Sequence, residues 1–289
     1  MNKEILKNRV DFMMVYEVTN GNPNGDPDED NKPRMDQETG IGLVTDVCLK
    51  RKIRDYVQAR KAGEPGFQIY ITSGIPTGRL ETEAILHKEE ETKDKTSYEA
   101  GEIVKNYLCD NYFDIRTFGA VLTSLTKSGL GDGRVNGPVQ IGFSKSVEPI
   151  NPQLVTIDRI TVANDEEAKT KNTTMGRKWV VPYAVYTVEG HISPEKAKKS
   201  GFTEEDLDLL IEALQNLFDN DASAARPSMA TRKLVIFKHE SPYGNEKAFK
   251  LFDRISIDRV SEGPARKFTD YKVTIDTDNM PKGVECIVK

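Results

Sequence analysis

Cysteine and histidine are both scarce, with three of each in a chain of 289 residues. Cys48, Cys109 and Cys286 are odd in number and form no C-x-x-C pair, which argues against a disulfide framework or a zinc knuckle and fits a reducing compartment. They are expected as small buried side chains. His87, His191 and His239 lie in unrelated segments, so no local motif supports a His-based triad or metal site. G-x-S-x-G, G-x-G-x-x-G, H-E-x-x-H and G-x-x-x-x-G-K-[ST] are all missing, and with them the signatures of the common hydrolase, dinucleotide, metalloprotease and P-loop classes. No apolar stretch approaches a secretory h-region or a membrane span, and Lys3, Glu4, Lys7, Arg9 and Asp11 begin the chain. The expectation is a soluble, cytoplasmic protein with no membrane partner and no cofactor.

Charge of neither sign dominates. A net charge of −5 and a pI near 5.5 argue against a surface that coats nucleic acid all over, while leaving room for a local basic groove. The length suits one large domain or two small ones, and nothing forces a second.

What is present is organised around residues 11–61. An apolar run, Phe12-Met13-Met14-Val15-Tyr16, enters a turn-rich loop from Asn20 to Arg34, and the chain leaves it as a basic helix starting near Thr45. From Thr45 to Lys61 six cations stand against two acids. At about 100° per residue Leu49, Ile53, Tyr56 and Val57 share one face, with Lys50, Arg54 and Lys61 in a stripe beside it. That stripe suits either a solvated face with ordinary i,i+4 pairs or contact with phosphates.

Residues 64–112 read as a peripheral helical insertion with a solvated acidic face: eight acids stand against three lysines between Glu81 and Glu102. Ser97 is a candidate cap for a helix that points Ile103, Val104, Tyr107 and Leu108 inward. The segment around Arg116 reads as a strand beside a glycine turn, with Arg116 either functional or paired to Asp114 or another buried carboxylate. After a glycine-rich loop, Val139, Ile141 and Phe143 alternate with small or polar residues, which places Gln140 and Ser144 on the open face of a strand. Leu154 to Ala163 and Trp179 to Val188 read as arms of a long hairpin with a mobile polar tip at Asn164 to Thr174. Its returning arm begins Met175-Gly176-Arg177-Lys178-Trp179, where an aromatic beside cations suits base stacking or simply anchors the hairpin base.

Thr203 and Asp206 have capping-box spacing ahead of an amphipathic core helix, 203–219. A basic connection, 224–233, then leads into a strand at Leu234–Phe237, with further strands at 254–260, 271–275 and 284–288. Two β-α-β halves with long insertions suggest a split ferredoxin-like, RRM-like α+β sheet in one domain spanning 1–289.

Asp26, Asp28 and Asp30 have the spacing of the first EF-hand ligands, but Lys32, Asn31 and Gln37 break that pattern. A metal-dependent ribonuclease using the Asp26–Asp36 loop is the alternative function, against the plainer reading that turns favour these residues.

Six strings, taken in order, resemble one family: N-G-N-P-N-G-D-P-D at 20–28, L-V-T-D-V-C-L-K-R-K-I-R at 43–54, F-D-I-R-T-F-G-A-V at 113–121, G-P-V-Q at 137–140, T-M-G-R-K at 174–178 and R-K-L at 232–234. Together the chain resembles the crRNA-binding backbone subunit of type I-C CRISPR Cascade. The resemblance implies an RRM-like palm, helical fingers at 62–112 and a thumb hairpin at 151–182. It implies a non-catalytic, multi-copy protein of antiviral defence that forms a helical filament on guide crRNA and leaves the bases free to pair with a target DNA strand. Its partners would be adjacent copies of itself, a subunit capping the 5′ end and a large subunit. Carried over by residue, the RNA contacts would be Asn20, Asn22, Asn24, Lys50, Arg51, Arg54, Gln140, Arg226, Arg232 and Lys233. Met175 would be the wedge at the kink, with Arg177 and Lys178 on phosphates, and no residue would be catalytic or bind a metal.

Overall fold

The computed structural model describes residues 4–161, 166, 169–170 and 174–289. Its centre is β1 (Val10–Gly21), in which nine consecutive residues are buried. A strand packed on both faces cannot alternate apolar with polar, which is why this one reads as a continuous apolar run. Toward the helices point Phe12, Met14, Tyr16 and Val18, and toward the other side Met13 and Val15.

β1 is flanked by two antiparallel partners, β10 (Thr174–Ile192) and β11 (Ser228–His239). With β4 (Ile41–Val44), β8 (Ser144–Pro149) and β14 (Val284–Val288), the main path of the sheet runs β14-β11-β1-β10-β8-β4, and β7 (Val139–Ile141) and β9 (Gln153–Arg159) also pair with β10. Two-residue β2 (Gly25–Asp26) and β3 (Lys32–Pro33) pair inside the loop after β1. The α+β class expected from the element order is what forms: a mixed fold on a large antiparallel sheet.

Two helices cover one face of it. The first, α1 (Asp46–Arg60), buries Leu49, Ile53 and Val57 as its periodicity predicts, and Thr45 caps it by accepting from the Cys48 amide. Before the second come α2 (Thr77–His87), α3 (Glu89–Thr92), α4 (Ser97–Asn111), α5 (Phe113–Phe118), α6 (Thr123–Lys127) and α7 (Pro194–Ser200). The second, α8 (Glu204–Gln215), carries the expected Thr203–Asp206 capping box. The opposite face is closed by α9 (Ala248–Phe252) and the hairpin of β12 (Ile255–Arg259) with β13 (Tyr271–Ile275), through Leu251, Phe252, Ala265 and Tyr271.

Helices α2 to α6 enclose a second core of Tyr70, Ala84, Val104, Leu108, Cys109, Ile115, Leu122 and Leu125, edged by the small hairpin of β5 (Gly119–Val121) and β6 (Arg134–Asn136). This core reaches past residue 112, the expected end of the insertion. Glu81, expected on its acidic face, is buried and accepts from the Tyr70 hydroxyl and the Ser124 amide, both at 2.6 Å. Thr96, not Ser97, caps α4, in a reciprocal box with Glu99.

Four further expectations are corrected. Residues 113–118 form helix α5 rather than a strand. Ser144 is buried, donating to the Thr187 carbonyl, and Phe143 is exposed, because the strand breaks at 142–143 and alternation restarts in β8. The stretch 228–233 is strand, not connection. Of the cysteines only Cys109 is fully buried, its thiol pushed up to about 12 by burial. A hairpin forms, but its paired arms are Gln153–Arg159 and Thr174–Val180, and most of the expected returning arm, Val181–Val188, instead pairs with β1 as β10 runs on into the middle of the sheet. Most of the Asn164–Thr174 tip lies outside the described residues.

Candidate nucleic-acid interface

One end of the sheet gathers four segments around a tight turn. Ser223 and Arg226 exchange backbone hydrogen bonds across it, at 3.1 and 3.0 Å. The Asn22 amide donates to the Ala225 carbonyl at 2.7 Å, docking the loop after β1, and Lys178 Nζ donates to the Ala224 carbonyl at 3.3 Å, docking the hairpin root. Asn24 Oδ1 accepts from both the amide and the hydroxyl of Thr45 at 3.0 Å, fixing the loop to the first turn of α1.

Between these segments lies an open groove of about 560 Å³ whose lining includes Arg34, Arg51, Lys52, Arg226, Asp55 and Asp221. Four cations face two carboxylates there, in a chain that is acidic as a whole. Cys48 also lines it, but burial pushes its thiol up and the sulfur donates to the Pro23 carbonyl at 3.7 Å, so it is a neutral wall rather than a nucleophile.

The candidate residues divide sharply. Asn20 is exposed, in a left-handed conformation at φ 48°. Asn22 is buried and donates to the Asn31 carbonyl at 2.6 Å, and its role with Asn24 is to shape the loop. Arg51 faces solvent beside Asp55. Lys50 instead pairs with Asp46 at 2.8 Å and lies over the Phe118 ring.

Arg54 is turned inward. Its Nε donates to Asp114 Oδ2 at 2.7 Å, and the same carboxylate accepts from the amides of Tyr70 and Ile71. Arg116 is likewise internal, though its partner is Asp206, gripped through Nε at 2.9 Å and a second nitrogen at 2.7 Å, with the Gly66 and Cys109 carbonyls completing the site. The stripe beside the core face of α1 is therefore partly a structural seam between the two cores.

Gln140 stands elsewhere. It pairs with His191, which pairs with Asp11, and ten residues of β1 separate Asp11 from Gly21, about 33 Å at the usual strand rise. Arg232 sits at a bulge in β11, since Thr231 faces Tyr16 and Lys233 faces Val15, and its guanidinium pairs with Glu17 and lies over Phe268. Lys233 is half-buried nearby. On the hairpin, Met175 is 75 % exposed and Arg177 points to solvent, among exposed Leu154, Val155 and Ile157.

Three cations were not singled out from the sequence: Lys32, whose Nζ lies 5.8 Å from the Trp179 ring centre; Arg34, paired with Asp26 at 3.0 Å; and Lys52, buried and paired with Asp221. The signal available was the alternation of Lys32 and Arg34 at the end of an Asn-Gly loop. Asp26 also accepts from the Asp28 amide at 3.2 Å, and among the described residues no three His, Cys, Asp or Glu side chains are grouped to hold a metal. The geometry gives the ribonuclease alternative no support.

The sheet, the α1–α8 pair on one of its faces and this groove define an α+β protein with a basic cleft at one end of the sheet. The profile of the CRISPR-associated protein Cas7 family matches residues 8–276. The chain belongs to that family. A CRISPR-associated protein Cas7 of Haloferax volcanii is 33% identical in an alignment 156 residues long that covers 50% of this chain and 44% of that relative, so the chain spans less than half the length of the curated relative it matches. A chain of a solved CRISPR RNA-guided surveillance complex, pre-nicking, aligns at 12% identity and TM-score 0.45 over 79% of this chain and 78% of that one. A chain of another CRISPR RNA-guided surveillance complex aligns at 12% identity and TM-score 0.44 over 79% of this chain and 68% of that one.

Proposed function

We propose that this protein is a non-catalytic, multi-copy backbone subunit of a type I-C Cascade complex, holding guide crRNA by its sugar-phosphate backbone. The family match over residues 8–276 carries this reading. The strand order β11-β1-β10-β8, all antiparallel, with α1 and α8 on one face, supports an RRM-like palm. The second core supports fingers, and the β9–β10 hairpin supports a thumb with Met175 as its apolar wedge. RNA phosphates would meet Arg51, Arg226 and Arg34 at the groove, with Asn20 and, at the hairpin root, Lys178 nearby, and Arg177 farther out along the hairpin. Arg54, Lys50 and Asn22 would hold those elements in place. Gln140, Arg232 and Lys233 would contact the strand only if it crosses the sheet away from the groove. Target DNA, the neighbouring copies and the capping and large subunits are its partners on this reading, in the cytoplasm. Base pairing, not the protein, would then supply sequence specificity.

The test is fluorescence anisotropy with unstructured single-stranded RNAs of increasing length, in EDTA. Stoichiometry should climb in regular steps with length, cooperatively and without cleavage. Saturation at one protein per strand whatever the length would overturn the filament, and in a second assay with Mn²⁺ in place of EDTA, cleavage that is lost in Asp26→Ala would restore the ribonuclease.

A further inference from the structure

The groove holds an ion cluster that needs an explanation of its own. Asp221 Oδ2 accepts from both the Lys52 ammonium and Arg226 Nε, the latter at 2.8 Å, while Oδ1 lies 3.3 Å from a second Arg226 nitrogen. Two full cations converge on one carboxylate at the floor of an open cleft. Lys52 is 6% exposed and Asp221 20%, so the ammonium depends on that carboxylate for charge compensation while the carboxylate itself still reaches solvent.

The three members are held differently. Lys52 is fixed by α1, and Arg226 by the backbone bonds of its turn and by a 3.3 Å bond from its amide to Ser223 Oγ. Asp221 belongs to no helix or strand, and its amide makes one turn bond, to the Phe218 carbonyl at 3.2 Å. If the carboxylate swings aside, the backbones that carry both cations are still held by α1 and by the turn. The seat it leaves has charged N–H donors from two directions and an open side, which is how a phosphate oxygen is recognised.

We propose that Asp221 is a resident counter-ion: in the free subunit it occupies the seat of one RNA backbone phosphate, and it yields that seat when RNA enters the groove. This deepens the RNA-backbone reading and rests on it. Exchange of one anion for another keeps Lys52 compensated throughout, and the carboxylate sets a threshold that stray anions do not pass.

The test uses the full chain with Asp221→Asn. Melting temperature should fall in phosphate-free buffer and be restored by inorganic phosphate, with a larger upward shift than wild type shows. Affinity for single-stranded RNA should rise about fivefold, the effect of removing one like charge about 4 Å away in water. Should the variant not fold, Lys52→Met and Lys52→Met/Asp221→Asn are compared, since neither buries an unpaired ammonium; the double variant should bind RNA more tightly than the single. Equal or weaker RNA binding after Asp221 is neutralised would overturn the proposal. A larger phosphate shift in Asp221→Asn with no RNA binding by either protein would uphold the anion seat and fail the RNA reading instead.

Discussion

Arg116 directs every polar contact of its guanidinium at the protein interior: a bidentate pair with Asp206, two backbone carbonyls, and the faces of Phe67 and Phe113. A buried charge pair of this kind gives little net stability over an apolar replacement, but loss of one partner leaves the other uncompensated. Arg116→Ala is therefore expected to lower unfolding free energy by about 3–5 kcal/mol in urea titration, while RNA affinity of the folded fraction stays at the wild-type level. A selective loss of RNA binding at unchanged stability would return Arg116 to the interface. The sequence marked this residue through the string around it and could not tell the two roles apart. Arginine looks the same in a motif whether it meets a phosphate or a carboxylate ninety positions away, as Asp206 is. Lys52 shows the converse failure: its neighbours marked a basic helix, and only the fold shows that this one cation turns toward Asp221.

Among elements, those whose pattern is local were legible: α1 from its cap and periodicity, α8 from its capping box, β13 and β14 from their β-branched runs. The hexamer Phe-Asp-Ile-Arg-Thr-Phe was not, because residues that favour strands are held helical here by the contacts of Asp114 and Arg116 within a very short element. Asp11 shows what binds elements together. From β1 it accepts from His191 on β10 at 2.6 Å and His239 on β11 at 3.0 Å, and from Arg9. Burial alone would raise the carboxyl, but the three hydrogen bonds outweigh it and hold it well below the ordinary aspartate range. A lowered folded value means that this contribution is fully present above the unfolded value near 3.8 and is lost as pH falls from there through the folded value. The acid unfolding curve of Asp11→Asn should accordingly be flatter than wild type below about pH 4. Parallel curves would show that Asp11 does not link the three strands to pH.

For the whole molecule, a net charge of −5 around a basic groove would make the proposed RNA binding a local electrostatic event on a repelling body. Replacing Arg51 and Arg226 by glutamine should weaken binding to every RNA sequence alike and reduce the slope of log K against log salt by about 0.7 for each phosphate that is no longer neutralised. A defect confined to one sequence would contradict backbone readout.

The uninterrupted course of β10 has a mechanical meaning. Nineteen residues carry the chain from the exposed hairpin to the far end of the sheet, hydrogen-bonded to β9 at one end and to β1 along the other. The hairpin is thus the outer arm of a strand whose inner part is built into the central sheet. Along that strand the partner changes from β9 to β1 between Val180 and Val181, and farther in Tyr186 stacks on Tyr16 of β1 at 5.4 Å between ring centres. Copies joined through such arms would be geared to one another, so that the pitch of an assembly would be set by the stiffness of each subunit's own core.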